Sequence, residues 1–154
     1  MLNICINAFI IAMVPLIEIR GAIAYALIAG VPAYIAYPVC IVGNMLPVPV
    51  IFFFSRKVLE WGKDKKFIGK FFTFCLEKGH KGGEKLKAGK MGVYLALFLF
   101  VGIPLPGTGA WTGTLAASIL DMDFKKSIVA IMCGVVLAGI IIGVLSILGI
   151  NIVT

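Results

Sequence analysis

Apolar residues form two long runs along the chain that no charged residue interrupts. The runs cover residues 34–54 and 127–150. A helix needs about 20 consecutive apolar residues to cross the hydrocarbon core of a bilayer. Both runs therefore predict transmembrane helices. The first should be kinked at Pro47 and Pro49, because proline removes a helical hydrogen bond and its ring clashes with the preceding turn.

Two shorter apolar runs each stop at a Pro-Leu pair. Residues 3–14 end at Pro15, and residues 91–103 end at Pro104. Runs of 10–14 apolar residues are typical of re-entrant or interfacial elements, because they are too short for a simple span.

A second short apolar run follows each break, and a full-length run follows that. This order occurs twice, so we predict an all-α membrane protein built as an inverted repeat of a re-entrant helical hairpin plus a transmembrane helix. The first repeat covers 1–55 and the second, inverted repeat covers 91–154, within a single membrane domain 1–154. The alternative is four ordinary spans with polar turns at 15–20 and 104–109, which local bilayer thinning would accommodate.

The segment 56–90 carries the whole net charge. It holds eleven basic and four acidic residues, a balance equal to the +7 of the entire chain. The positive-inside rule places this segment in the cytoplasm. The first hairpin then opens to the outside and the second to the cytoplasm, so the two halves have opposite orientations. The charge is explained by this orientation and gives no reason to expect a nucleic-acid partner.

Within this segment, aromatic and apolar residues are spaced for one face of a helix surrounded by lysines. The apolar set is Phe67, Ile68, Phe71, Phe72 and Cys75, and the lysines are Lys63, Lys65, Lys66 and Lys70. This pattern predicts an interfacial amphipathic helix in contact with membrane lipids.

The composition agrees with a membrane protein and offers no enzyme chemistry. Of the 154 residues 61% are hydrophobic and 14% charged, and the mean hydropathy is +1.09, whereas soluble domains have about 25% charged residues. Four scattered cysteines and the single His80 show no metal-ligand spacing. We expect no metal, no cofactor and no catalytic residues.

The first break, VPLIEIRG, contains Glu18 and Arg20, the only acidic and basic side chains before Arg56. At mid-membrane depth each would cost about 2.5–3.5 kcal/mol on insertion scales. They either lie at the membrane surface, hydrated, or line a polar cavity. In a cavity Arg20 suits phosphate or carboxylate, while Glu18 is suited to take up a proton or to attract a cation.

The second break is uncharged and rich in glycine, proline and hydroxyl groups. Its candidate residues are Pro104, Pro106, Gly107, Thr108, Gly109, Trp111 and Thr112. With Pro15, the prolines and Gly107 are predicted structural breaks. A half-helix starting near Thr108 would present free amides to an anion, unless the small residues merely pack helices closely.

Asn44 is the one strongly polar side chain in the first long run. An asparagine there is expected to face other helices, either as a hydrogen-bonding link across the bundle or as a substrate contact. The sequence leaves both open.

The motifs PLIEIRGAI, GNMLPVP and GIPLPGTGAWTG, with a basic loop and a final apolar helix, resemble the putative small multidrug export protein family over essentially the whole chain. That family is in turn remotely similar to the DedA membrane proteins, some of which are implicated in moving polyprenyl-phosphate lipids. The resemblance implies a multi-pass plasma-membrane transporter, with Glu18 and Arg20 in its first motif and Asn44 in its second.

Three functions follow from these residues. The first is an exporter of lipophilic cations, with Glu18 as counter-charge and Trp111 and Tyr25 as aromatic walls. Its transport could be coupled to protons. The second is a carrier of anionic lipids, held by Arg20 and the amides near Thr108. The third is a membrane scaffold without transport. Because two full spans enclose a pathway poorly, we expect a homodimer.

Overall fold

The computed structural model describes residues 1–15, 17–62, 92–105 and 108–153. Every regular element in these ranges is an α-helix. The helices are α1 (Leu2–Met13), α2 (Glu18–Ile28), α3 (Ala33–Met45), α4 (Pro47–Gly62), α5 (Gly92–Gly102), α6 (Ala110–Ile119) and α7 (Phe124–Val153). The all-helical fold class is thereby confirmed for the described residues.

Among the described residues, two helical stretches are long and apolar enough to cross a membrane. They are Ala33–Lys57, which combines α3 with most of α4, and Phe124–Gly149 in α7. Both correspond to the long runs of the sequence. The expected interruption of the first occurs at Leu46, between the two helices, and α4 begins at Pro47. Proline is favoured at a first helical position because its missing N–H would have no partner there.

The remaining four helices are short. α1, α2, α5 and α6 have 12, 11, 11 and 10 residues, which at 1.5 Å per residue is about 15–18 Å, roughly half of a hydrocarbon core of about 30 Å. α1 and α5 end just before Pro15 and Pro104, as predicted. α2 begins at Glu18, four residues before the apolar run that marked it in the sequence. The first turn of α2 therefore includes both charged residues.

Contacts between the helices link the two halves of the chain. α1 packs on α3, and α5 packs on α7. α2 and α6, the second helix of each short pair, also contact the long helix of the other half: α2 lies against α7, and α6 lies against α4. The core between them contains Ile19 and Ile23 of α2 and Ile131 and Val135 of α7, all fully buried.

Glycines let the long helices approach closely. The Tyr37 hydroxyl of α3 donates a hydrogen bond to the Gly139 carbonyl of α7 over 3.3 Å. A Cβ at Gly143 would lie 1.8 Å from the same hydroxyl oxygen. Gly139 and Gly143, four positions apart, thus leave space for the tyrosine side chain. Small residues allow close packing of membrane helices in the same way.

Several sequence predictions lie outside the described residues. These are the interfacial amphipathic helix with its Phe67–Cys75 face, the environment of His80, and the break residues Pro106 and Gly107.

Candidate functional site

Glu18 of the first break binds the helix that follows the second break. Its side chain is 5% exposed. The carboxylate accepts hydrogen bonds from the backbone N–H of Ala110, 3.1 Å away, and of Trp111, 3.0 Å away. These amides open α6 and have no partner within their own helix. An ionised carboxylate at a helix amino end is favoured by the helix dipole and by charge-assisted hydrogen bonding, so Glu18 caps α6 from the other half of the chain.

Gly109 leaves the space that the Glu18 carboxylate occupies. A Cβ built on Gly109 would lie 2.1 Å from Glu18 Oε2, and the residue has φ of +154°. Only glycine adopts such a backbone conformation readily. The second break therefore needs a glycine at this position for both its turn and its contact with Glu18.

The backbone of Glu18 itself is left-handed, with φ of +51°. A non-glycine residue in this region costs on the order of 1–3 kcal/mol and persists only where the surroundings fix it. The two hydrogen bonds to α6 are such a constraint.

Arg20 binds the second break through its guanidinium group. Nη1 donates to the Leu105 carbonyl. Nη2 donates to the Thr108 carbonyl over 2.6 Å and to the Thr108 hydroxyl over 2.8 Å, with the Ile103 carbonyl 3.5 Å away. The Thr108 hydroxyl also lies 2.9 Å from the carbonyl oxygens of Ile103 and Leu105. The planar fork of arginine thus binds several carbonyls of the irregular segment that follows α5.

Glu18 and Arg20 do not form an ion pair with each other in the described part of the chain. The carboxylate binds amides after the second break, and the guanidinium binds carbonyls within it. Two predictions change accordingly. The half-helix starts at Ala110 and not near Thr108, and a carboxylate of the protein itself holds its first amides.

Three candidate side chains keep buried polar atoms without a hydrogen-bond partner among the described residues. Asn44 is fully buried, and neither atom of its amide is satisfied; the same holds for Trp111 Nε1 and Arg20 Nε. The predicted cross-bundle hydrogen bond of Asn44 is thus not found in the described ranges. Burying a polar group unpaired is costly, which makes these atoms candidates for contact with a ligand.

Asn44 and Trp111 lie at similar depth. The Ser118 hydroxyl of α6 donates to the Phe52 carbonyl of α4 across 66 positions, and Arg56 pairs with Asp121 across 65. The sequence separation between contacting residues is nearly constant, so α6 runs alongside α4 in the same direction. Both helices rise by about 1.5 Å per residue, which keeps them in step. Extending the offset puts Trp111 level with residues 45 and 46.

Thr112 makes only a local contact among the described residues, since its hydroxyl donates to the Gly109 carbonyl of its own helix over 3.4 Å. Sequence reasoning missed Ser118 and the Arg56–Asp121 pair. Ser118 resembles any small helical residue, and Arg56 was counted with the basic segment. In the described residues no group of three or more His, Cys, Asp or Glu side chains could hold a metal ion.

Comparison with known proteins identifies the family of the chain. No curated protein and no solved structure matches it. The family model described as "Putative small multi-drug export protein" matches residues 18–141, from Glu18 through most of α7. The match begins within the first break and includes the second break, the whole first long helix and the larger part of the second. The family suggests a membrane transporter and is not an enzyme class. The chain belongs to this small multi-drug export family.

Proposed function

We propose that this chain is a multi-pass exporter of the plasma membrane, with residues 56–90 in the cytoplasm and a substrate site at mid-membrane depth where the two breaks meet. The observation that carries the proposal is the buried Glu18 carboxylate on the first two amides of α6. A buried ionisable group between two interrupted helices is typical of a transport site.

The depth of the site follows from helix lengths. Asp121 pairs with Arg56, which ends the apolar part of the long helix Ala33–Lys57, so the carboxyl end of α6 belongs near a membrane surface. The other end of α6, where Glu18 binds, is ten residues away, or about 15 Å. That is half of a hydrocarbon core of about 30 Å. This supports re-entrant hairpins and an inverted repeat within one membrane domain.

Proton coupling would act through the Glu18 cap. The ionised carboxylate accepts from two amides. When one of its oxygens takes up a proton, that oxygen becomes a hydroxyl donor and no longer serves as an ionised acceptor. Charge-assisted hydrogen bonds are roughly twice as strong as neutral ones, so protonation weakens the link between the two breaks. The contact between the two breaks would then be strong with Glu18 ionised and weak with Glu18 protonated. Alternating access requires a contact that switches between two such states.

The substrate class that fits this carboxylate is a lipophilic cation. The cation would replace the α6 amides as the partner of the Glu18 charge. Trp111, half-buried beside the carboxylate, and Tyr25, two helical turns beyond Glu18 on α2, would supply aromatic faces. Asn44 and Trp111 Nε1 would supply hydrogen-bonding groups, because both lack partners in the described structure.

A second candidate is a translocase of anionic lipids such as polyprenyl phosphates. One observation favours it: the amides of Ala110 and Trp111 already hold an anionic group. Were Glu18 protonated, these amides with Arg20, Thr108 and Gly109 would form an anion site at a helix amino end. Either carrier would work as a homodimer, since the described part of one chain offers two helices long enough to span.

Binding measurements on the purified protein separate these candidates. The probes are tetraphenylphosphonium and farnesyl phosphate, titrated by calorimetry into wild type, E18Q, R20K and the control D123N, which removes an exposed carboxylate away from the breaks. For the exporter we expect cation binding that is lost in E18Q and kept in R20K and D123N. Binding of the phosphate alone, lost in R20K, would replace the exporter with the lipid translocase. Equal cation binding by E18Q and D123N would refute the role of Glu18.

A further inference from the structure

A groove lies between α5 and α7. It has a volume of about 480 Å³, within the range of about 300–1,000 Å³ of small-molecule sites. Its lining contains no residue of either break. The lining residues are Tyr94, Phe98, Lys125, Lys126, Val129, Ala130 and Cys133.

One end of the groove is basic. Lys125 and Lys126 lie in the first turn of α7 and are exposed, and the Lys126 ammonium is 5.9 Å from the centre of the Tyr94 ring. The acidic residues beside them are engaged: Asp121 pairs with Arg56, and the Asp123 carboxylate accepts the Lys126 backbone N–H over 3.0 Å. Against these two ammonium groups stands the one carboxylate of Asp123, so the mouth of the groove keeps a net positive charge.

The rest of the groove is apolar and closes at a defined point. Cys133 lies eight residues beyond Lys125, or about 12 Å along the helix, and Val129 and Ala130 lie between them facing Phe98. At Gly134 the helices touch: a Cβ there would lie 2.7 Å from Val101 and 2.8 Å from the Phe98 carbonyl. The groove is therefore basic at one end, apolar along its length and bounded at the other end by this contact.

We propose that this groove binds an anionic phospholipid, with its phosphate at Lys125 and Lys126 and one acyl chain along Phe98, Val129 and Cys133. Positive charge at one end and apolar walls along the remainder match an amphipathic anion. Basic pockets between membrane helices at the headgroup level bind anionic lipids in this way. The site is separate from the proposed transport site, so it stands whether or not that proposal holds.

Native mass spectrometry of the full chain tests the headgroup contact. The protein is mixed with equal amounts of phosphatidylglycerol and phosphatidylcholine that carry identical acyl chains. We expect phosphatidylglycerol adducts to dominate, and the preference to fall by about fivefold for each lysine removed in K125Q/K126Q. The control K85Q/K87Q removes the same charge from the segment 56–90 and should keep the preference. Equal retention of the two lipids by wild type, or an unchanged preference in K125Q/K126Q, would overturn the proposal.

A second variant tests the acyl chain. Val129 is 55% exposed, so V129W should fold while filling the groove; its melting temperature and elution volume confirm folding. We expect V129W to lose adducts of both lipids, whereas K125Q/K126Q loses only the preference between them. The exposed V136W, further along α7 and outside the groove lining, is the matched control. Adduct levels in V129W equal to those in V136W would show that no chain occupies the groove.

Discussion

The carboxylate of Glu18 occupies the space that a side chain at Gly109 would need. A Cβ at position 109 would meet Glu18 Oε2 at 2.1 Å and the carboxyl carbon at 2.7 Å. The two residues come from different breaks of the chain, so their fit ties together the two halves of the protein.

Substituting Gly109 should therefore disturb the site more than substituting another glycine. In G109A the methyl group displaces the carboxylate from the α6 amides, and φ of +154° strains the new side chain. We expect a clear fall in melting temperature, measured by fluorescence-detected size exclusion after heating. G92A is the control, because a Cβ at Gly92 meets nothing within 4 Å. Equal melting of G109A and G92A would contradict the described fit.

The Thr108 hydroxyl should stabilise the contact between Arg20 and the second break. T108V keeps the side-chain shape but removes an oxygen within 2.9 Å of Arg20 Nη2 and of two carbonyls. The hydrogen bonds of this hydroxyl are partly exposed and contribute about 0.5–1.5 kcal/mol each, so the melting temperature should fall. T112V, which loses only a 3.4 Å contact within α6, should change it little. The result that counts against this account is a T112V effect as large as that of T108V.

Tyr37 and Gly143 should show coupled energetics. The methyl group of G143A would collide with the Tyr37 hydroxyl, 1.8 Å from the Cβ position, so G143A should destabilise the protein. Y37F removes that oxygen and should restore part of the loss in G143A/Y37F. A double-mutant cycle on melting temperatures measures this coupling. G149A has open space around it and should leave the melting temperature unchanged, both in wild type and in the Y37F background. Additive effects of G143A and Y37F would disagree with the described packing.

Residues of the breaks should label slowly if the hairpins turn back inside the membrane. Ile17 and Leu105 are exposed in the isolated chain. In a cysteine-free background, I17C and L105C should react with a charged maleimide much more slowly than Y34C, which lies at the start of the first long helix. In four full spans the turns at 15–20 and 104–109 would reach the membrane surfaces. I17C and L105C would then react as fast as Y34C.

The elements of the fold could be predicted from the sequence where a local signal exists. Pro15, Pro104 and Pro47 mark real ends of helices because proline acts on its own turn. The two long helices could be predicted because their apolar runs are long enough to span and contain no charged residue. By contrast, the bond from Ala110 to Glu18 crosses 92 positions of sequence, and no local pattern encodes such a distance. The same limit explains why the sequence could place Glu18 and Arg20 in one break without showing that each binds the opposite half of the chain.

Asn44 shows the reverse case: its position in an apolar run marked it as unusual but did not reveal its contacts. It is fully buried as an asparagine in a long apolar helix should be, but its amide has no partner among the described residues. A pattern can mark a polar residue as unusual; the partner it needs depends on what the assembled helices bring near it.

The central claim is that Glu18 couples proton movement to export. The most direct test is ethidium transport by wild type, E18Q and D123N reconstituted in proteoliposomes with an imposed pH gradient. We predict that the gradient accelerates ethidium transport by wild type and D123N, and that E18Q, correctly folded by its elution volume, shows no response to it. Transport by E18Q that responds to the gradient as wild type does would contradict the account.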